Sequence, residues 1–193
     1  MRLLEFARKA LPLAGLIFSG ALAAHGATIY VDASVGGGSN NGTAWGHAYT
    51  NLQSALGTAL TGDQVWVAAG TYVGSVKLEP GTAVYGGFAG TETIRDARNP
   101  ASNPTVLDGG STAPHVVVGA DNARIDGFTI RGGWAIGAAP DDVGGGVYCN
   151  GTSPVVANNR IVGNRATNGG AGIYCGGACA GQFTANLIAD LSA

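Results

Sequence analysis

The chain has 193 residues, of which 46% are hydrophobic, 11% are charged and 34 are glycine, and its formal net charge is −2. Against a usual glycine share of about 7% and a charged share of about 25%, it is glycine-rich, apolar and poor in charge. This excludes the polar, highly charged class of disordered chains. With lysine only at Lys9 and Lys77, it carries no basic stripe for nucleic acid or for an anionic membrane surface.

The first residues, Arg2, Arg8 and Lys9, precede the apolar run LPLAGLIFSGALAA. Positive residues, a short apolar core and a small-residue exit read as a secretory signal peptide over residues 1–27. Ala21 to Ala23 supplies an A-x-A site, later alanines offer alternatives, and the mature start falls between Ala24 and Thr28. The product is expected to be secreted or at the outer cell surface, with no membrane span once the signal is removed. Residues 28–62 predict one strand at IYV, a loop of glycine and asparagine, and a short amphipathic helix over residues 51–60. Thr50 and Gln53 have the spacing of a capping box. Leu52, Ala55, Leu56, Ala59 and Leu60 share one face, and Gly62 is the natural stop. Trp66, in QVWVA, is expected to pack against that helix.

From Asp63 to Ala193 the chain is a series of apolar bursts of about three to five residues, shorter than most strands of open sheets. The bursts repeat. Tyr148 and Cys149 recur at Tyr174 and Cys175, 26 residues on, and Asn159 recurs at Asn186, 27 residues on. Such a period marks a stacked architecture whose single unit cannot bury its own apolar side. Units of short strands without helices predict an all-β fold, the right-handed parallel β-helix, with the helix at 51–60 as its N-terminal cap. In IDGFTI, VANNRI and FTANLI, the outer apolar residues point inward and the chain bends between them. Gly127 and Asn158 occupy the bend, where a left-handed backbone is tolerated. Asn159 and Asn186 follow it, placed for a stacked amide ladder rather than for solvated turns. Residues 63–193 leave room for about five coils, and nothing closes the last one. The fold is therefore expected to be incomplete at its C-terminal end, with that edge covered by further coils or by a partner. In an oxidising compartment Cys175 can pair with Cys179 across a short loop or with Cys149 at the matching place, and either choice leaves one thiol over.

Two resemblances accompany this reading. Ile161-x-x-Asn164-x-Ala166-x-x-Gly169-Gly170-x-Gly172-Ile173-Tyr174 resembles the repeat of polymorphic outer-membrane proteins and related autotransporter-like surface proteins. IYVDASVGGGSNNGT, the helix and TGDQVWVAAGTY together resemble the N-terminal part of secreted β-helix proteins of the pectin-lyase-like superfamily. Between them they span most of the mature chain. They imply the fold, and they imply little about function, because that fold hosts lyases, hydrolases, tailspikes and adhesins.

Chemistry-bearing residues are sparse. Asp126, Arg131, Asp141, Asp142, Arg160 and Arg165 are the only charged residues between Arg124 and Asp190. Arg131 and Arg160 flank inward isoleucines and are expected to point outward from neighbouring coils, while Asp141 and Asp142 sit in a Pro/Gly loop. Arg131, Trp134, Asp141, Asp142, Arg160 and Arg165 form the candidate ligand-binding set, with Trp134 as a sugar platform, against the plainer reading in which the indole packs and the scattered charges only keep the sheet soluble. None of the polygalacturonase signatures is present, so catalysis is left unassigned. His115 reads as a strand-start residue rather than a base. Asp32, Asp63 and Asp108 stand singly beside turns, and Asp63 is expected to hold a corner through backbone amides. No metal site or cofactor is expected, and Ca²⁺ enters only if the chain is the front of a polysaccharide lyase or glycoside hydrolase. The favoured function is a surface scaffold for adhesion, with a glycan or cell-surface ligand. The enzyme and a structural module without ligand are the alternatives.

Overall fold

The computed structural model describes residues 26–192, so all but the end of the expected signal peptide lies outside the described residues. Strand β1 (Thr28–Val31) comes first, then helix α1 (Leu52–Leu56). The chain continues through β2 (Gln64–Ala68), β3 (Gly70–Val73), β4 (Val76–Lys77) and β5 (Ala83–Phe88). After a long loop come β6 (Thr105–Asp108), β7 (Val117–Val118), β8 (Arg124–Asp126), β9 (Phe128–Arg131) and β10 (Trp134–Ala135). The last seven strands are β11 (Val147–Asn150), β12 (Val155–Ala157), β13 (Arg160–Val162), β14 (Arg165–Ala166), β15 (Ile173–Gly176), β16 (Gln182–Thr184) and β17 (Leu187–Ala189).

These strands form a first sheet in the order β1-β2-β5-β8-β12-β16, a second in the order β15-β11-β7-β4, a third in the order β17-β13-β9-β6-β3, and the pair β10-β14. The pairings are parallel throughout. The described residues are thus mostly strands in parallel sheets, with almost no helix.

Register explains why such short strands hold. In the first sheet Val65, Val84, Ile125 and Val156 stand side by side, and in the third Leu107, Ile130 and Ile161 do the same. All seven are fully buried and belong to one apolar cluster with Val117 and Val147 of the second sheet. Each such side chain contributes about 1.5–3 kcal/mol by leaving water. A strand of three residues places only one or two of them inward, so no pass of the chain forms a core without its neighbours. Where neighbours run out, burial does too: Ile188, in register with Ile161, is 44% exposed.

The bends between first-sheet and third-sheet strands are left-handed at matching positions, Gly127 (φ 84°), Asn158 (φ 56°) and Ala185 (φ 53°). Asn159 and Asn186 follow two of these bends, and Asn164 follows Gly163 (φ 61°) in the next corner of the same pass. All three amides make the same pair of bonds to the preceding pass. Asn159 accepts from Phe128 N at 3.0 Å and donates to Ile125 O at 3.1 Å. Asn164 accepts from Gly133 N at 2.9 Å and donates to Ile130 O at 3.0 Å. Asn186 accepts from Asn159 N at 3.0 Å and donates to Val156 O at 2.8 Å, and it also receives the Asn159 amide at 3.2 Å. A bend pulls backbone groups off the strand ladder, and a buried unpaired N–H is costly, so each inward carboxamide supplies the missing partners.

The N-terminal helix differs from its expected form. It spans Leu52–Leu56 rather than 51–60, because Asn51 is the N-cap and accepts from Ser54 N. Gln53 does not close a capping box; its carboxamide instead accepts from Lys77 N at 2.8 Å and donates to Lys77 O at 3.3 Å, bridging to β4. The helix stops at Gly57 rather than Gly62. Leu60 is turned out to solvent because Asp63 claims its amide, while the other oxygen of Asp63 accepts from Ala27 N. Leu52, Ala55 and Leu56 remain buried, and α1 packs on β1, β2 and β4. Trp66 does not pack on this helix. Strand alternation turns it away from Val65 and Val67 into a separate aromatic cluster, stacked on Phe88 at 4.8 Å and edge-on to Tyr30.

Candidate functional site

The six candidate ligand-binding residues are distributed over three places. Arg131 and Arg160 are exposed at the ends of β9 and β13. With Asp108, Ser111 and Asp190 they line an open groove of about 400 Å³. The Arg131 Nε donates to Asp108 Oδ2 at 2.8 Å, whereas Asp108 also accepts from Gly110 N and so holds its turn. This groove offers two guanidinium groups and two carboxylates on a fixed sheet face, an arrangement able to bind polyhydroxy or charged groups by paired hydrogen bonds.

Trp134 and Arg165 form a second place. Parallel pairing of β10 with β14 sets them in register, and the guanidinium lies 5.0 Å from the indole centroid. The cation thus occupies a ring face of Trp134 that a sugar platform would need.

Asp141 and Asp142, adjacent in sequence, are separated in role. Asp142 is buried and accepts from Asn168 Nδ2 at 2.6 Å. Asp141 lies 3.5 Å from His115 Nε2. His115 is itself buried, with Nδ1 3.1 Å from Gly144 O and its ring stacked on Tyr148 at 4.3 Å; Tyr148 in turn stacks on Tyr174 at 5.6 Å. The neighbouring sulfurs divide as well, since Cys175 and Cys179 are joined in a disulfide and Cys149 is free and fully buried. Burial pushes the Cys149 thiol up to about 12, far from a reactive thiolate.

The sequence reading missed a fourth polar centre, built around Asp126. This outward residue of β8 is nearly fully buried because the loop between β5 and β6 folds over it. Arg98 from that loop donates to Asp126 Oδ1 at 2.5 Å, Arg124 donates to the other oxygen, and Asn158 Nδ2 donates at 2.9 Å. Burial alone would raise the carboxyl pKa. The hydrogen bonds from Arg98, Arg124 and Asn158 outweigh it and hold Asp126 below its usual range. The motif Arg124-x-Asp126 was the available signal; Arg98, 28 residues away in a loop, gave none.

Among the described residues, no three His, Cys, Asp or Glu side chains gather into a group able to hold a metal ion. No helix among them is long and apolar enough to cross a membrane. No protein-family model, curated protein or solved structure matches the chain.

Proposed function

We propose that the chain is a right-handed parallel β-helix, exported to the cell surface or beyond, that works as an adhesion scaffold binding glycans or another cell-surface ligand through its outer faces. The strand orders support the architecture. Three sheets draw their strands from successive passes of the chain, and parallel strand connections are right-handed in about 98% of cases. In this reading α1 covers the first coil, and the edge formed by β15, β16 and β17 is covered by further coils or a partner. The similarity of the repeats to those of polymorphic outer-membrane proteins and of pectin-lyase-like proteins, together with the signal-like N-terminus, supports export and display.

The observation that carries the functional reading is the groove of Arg131 and Arg160. Outward residues of a parallel stack are held in rows about 4.8 Å apart; here Asp108 and Arg131 share a row, Arg160 stands in the next one beside Thr129, and with Asp190 they line one side of the sheet. A stack of this kind makes an extended ligand-binding face without moving parts. The test is retention of the purified chain on a panel of immobilised neutral and acidic glycans, with the Arg131→Ala/Arg160→Ala double variant beside it. Retention by one glycan class that the double variant loses is the expected result. A chain that is retained by none, or a double variant retained equally well, removes the groove as a binding site.

A further inference from the structure

Among the described residues three arginines also gather elsewhere, on the outer face of the first sheet. Arg95 and Arg98 come from the loop after β5 and Arg124 from β8. Their guanidinium carbons stand 5.2, 5.1 and 6.0 Å from the ring centroid of Tyr85. Cations so close repel one another, and the neighbouring carboxylates are Asp96 and Asp126 alone. Three positive groups against two negative ones leave one charge in excess, in a chain whose formal net charge is −2.

Structure accounts for only part of this cluster. Arg98 fastens the loop to the sheet, bonding Gly86 O at 2.9 Å, Asp126 O at 3.1 Å and Asp126 Oδ1 at 2.5 Å. Arg95 and Arg124 are surplus to that task. Arg95 uses Nε on Asp96 at 2.9 Å, and its side chain is 41% exposed. Arg124 bonds Asp126 through Nη2, and its buried Nε has no hydrogen-bond partner among the described residues. Together with Asn158 and Tyr85 these groups line an open groove of about 370 Å³.

We propose that this groove binds a sulfate ester carried on a glycan. The proposal rests on the glycan-binding reading above and names a second site for it. Guanidinium groups bind oxyanions through paired N–H donors. Arg98 is occupied in holding the loop, which leaves the exposed Arg95 and the partly exposed Arg124, on either side of the groove, to donate to an oxyanion with three free oxygens. A sulfate monoester carries a single negative charge, equal to the excess in the groove, whereas a phosphate monoester brings about −1.5 to −2 at neutral pH.

Calorimetric titration of the full chain with a sulfated disaccharide, its unsulfated parent, inorganic sulfate and inorganic phosphate tests it. The sulfated sugar is expected to bind at least about tenfold more tightly than its parent and than either free anion, with affinity falling as salt rises. Arg95→Gln and Arg124→Gln should each weaken it by about tenfold, the loss of one charged hydrogen-bond pair. Arg95→Gln lies on the exposed side of the loop, and its melting temperature serves as the check that folding is intact. Equal affinity for the sulfated and unsulfated sugars, or full affinity in both variants, overturns the proposal. So does inorganic sulfate binding as tightly as the sugar, which makes the groove a site for a free anion. Retention of unsulfated glycan that depends on Arg131 and Arg160, with no gain in affinity from the sulfate ester, would leave the first reading standing while this one falls.

Discussion

Replacing Asn159 by Ala removes one carboxamide from a place where the chain cannot supply a substitute. Phe128 N–H loses its acceptor at 3.0 Å, Ile125 O loses a donor at 3.1 Å, and Asn186 Oδ1 keeps only the Asn159 backbone amide. The site is buried, with Asn159 only 2% exposed, so water does not repair the loss without opening the bend. An orphaned buried N–H costs about 1–3 kcal/mol and the lost bond to the carbonyl about 0.5–1.5 kcal/mol, which together give about 2–4 kcal/mol. In a chain of this size each kcal/mol moves the melting temperature by about 2–4 °C, so a fall of about 10 °C is expected by calorimetry or circular dichroism. Asn158→Gly is the comparison. It gives up one hydrogen bond to the Asp126 carboxylate at 2.9 Å, worth about 1.5–3 kcal/mol, but relieves a left-handed backbone costing about 1–2 kcal/mol, for a smaller net loss than Asn159→Ala. If Asn159→Ala melts within about 2 °C of the parent, the inward amides are not what secures the bends.

Other consequences are equally open to measurement. Ala185 holds a left-handed backbone (φ 53°) at a cost of about 1–2 kcal/mol, so Ala185→Gly should raise the melting temperature even after glycine's greater unfolded-state entropy is deducted; a lower value refutes the strain. The lowered pKa of Asp126 means that the unfolded chain takes up this proton first as pH falls. Its stabilising contribution is therefore complete above the unfolded carboxylate value of about 4 and is lost as pH falls through the lower folded value. Melting curves from pH 7 to 2 should show a loss below about pH 4 that is smaller in Asp126→Asn, and parallel profiles for the two chains would count against it. Iodoacetamide should leave Cys149 untouched in the native protein and add one label after unfolding without reductant, read by mass; rapid native labelling would contradict its burial.

How much of this the sequence discloses depends on the range of the interaction. The shift of 26 residues between Tyr148 and Tyr174 is also the register of β11 on β15, because a column of like residues must recur once per pass. Inward residues such as Ile125, Ile130, Val156 and Ile161 were legible for the same reason. The cap of α1 was a local competition that pattern alone did not decide, since Asn51 and Thr50 stand side by side and either can cap. Trp66 was misread because its neighbours Val65 and Val67 face the core, and alternation then sends the indole to the other side. Asp126 was passed over since the groups that bury it, Arg98 and the loop around Arg95, belong to no repeat. Asn164, seen only as part of a motif, proves to make the same bonds as Asn159.

The disulfide sits in an asymmetric position. Cys175 belongs to β15, the outermost strand of its sheet, and the bridge to Cys179 spans a separation of only four residues. It ties no two passes together, so it does little for the body of the stack. What it tethers is the turn that follows β15, the last strand of its sheet among the described residues. Reduction should accordingly leave the global melting midpoint nearly unchanged while loosening only that turn, seen as faster amide exchange between Cys175 and Cys179.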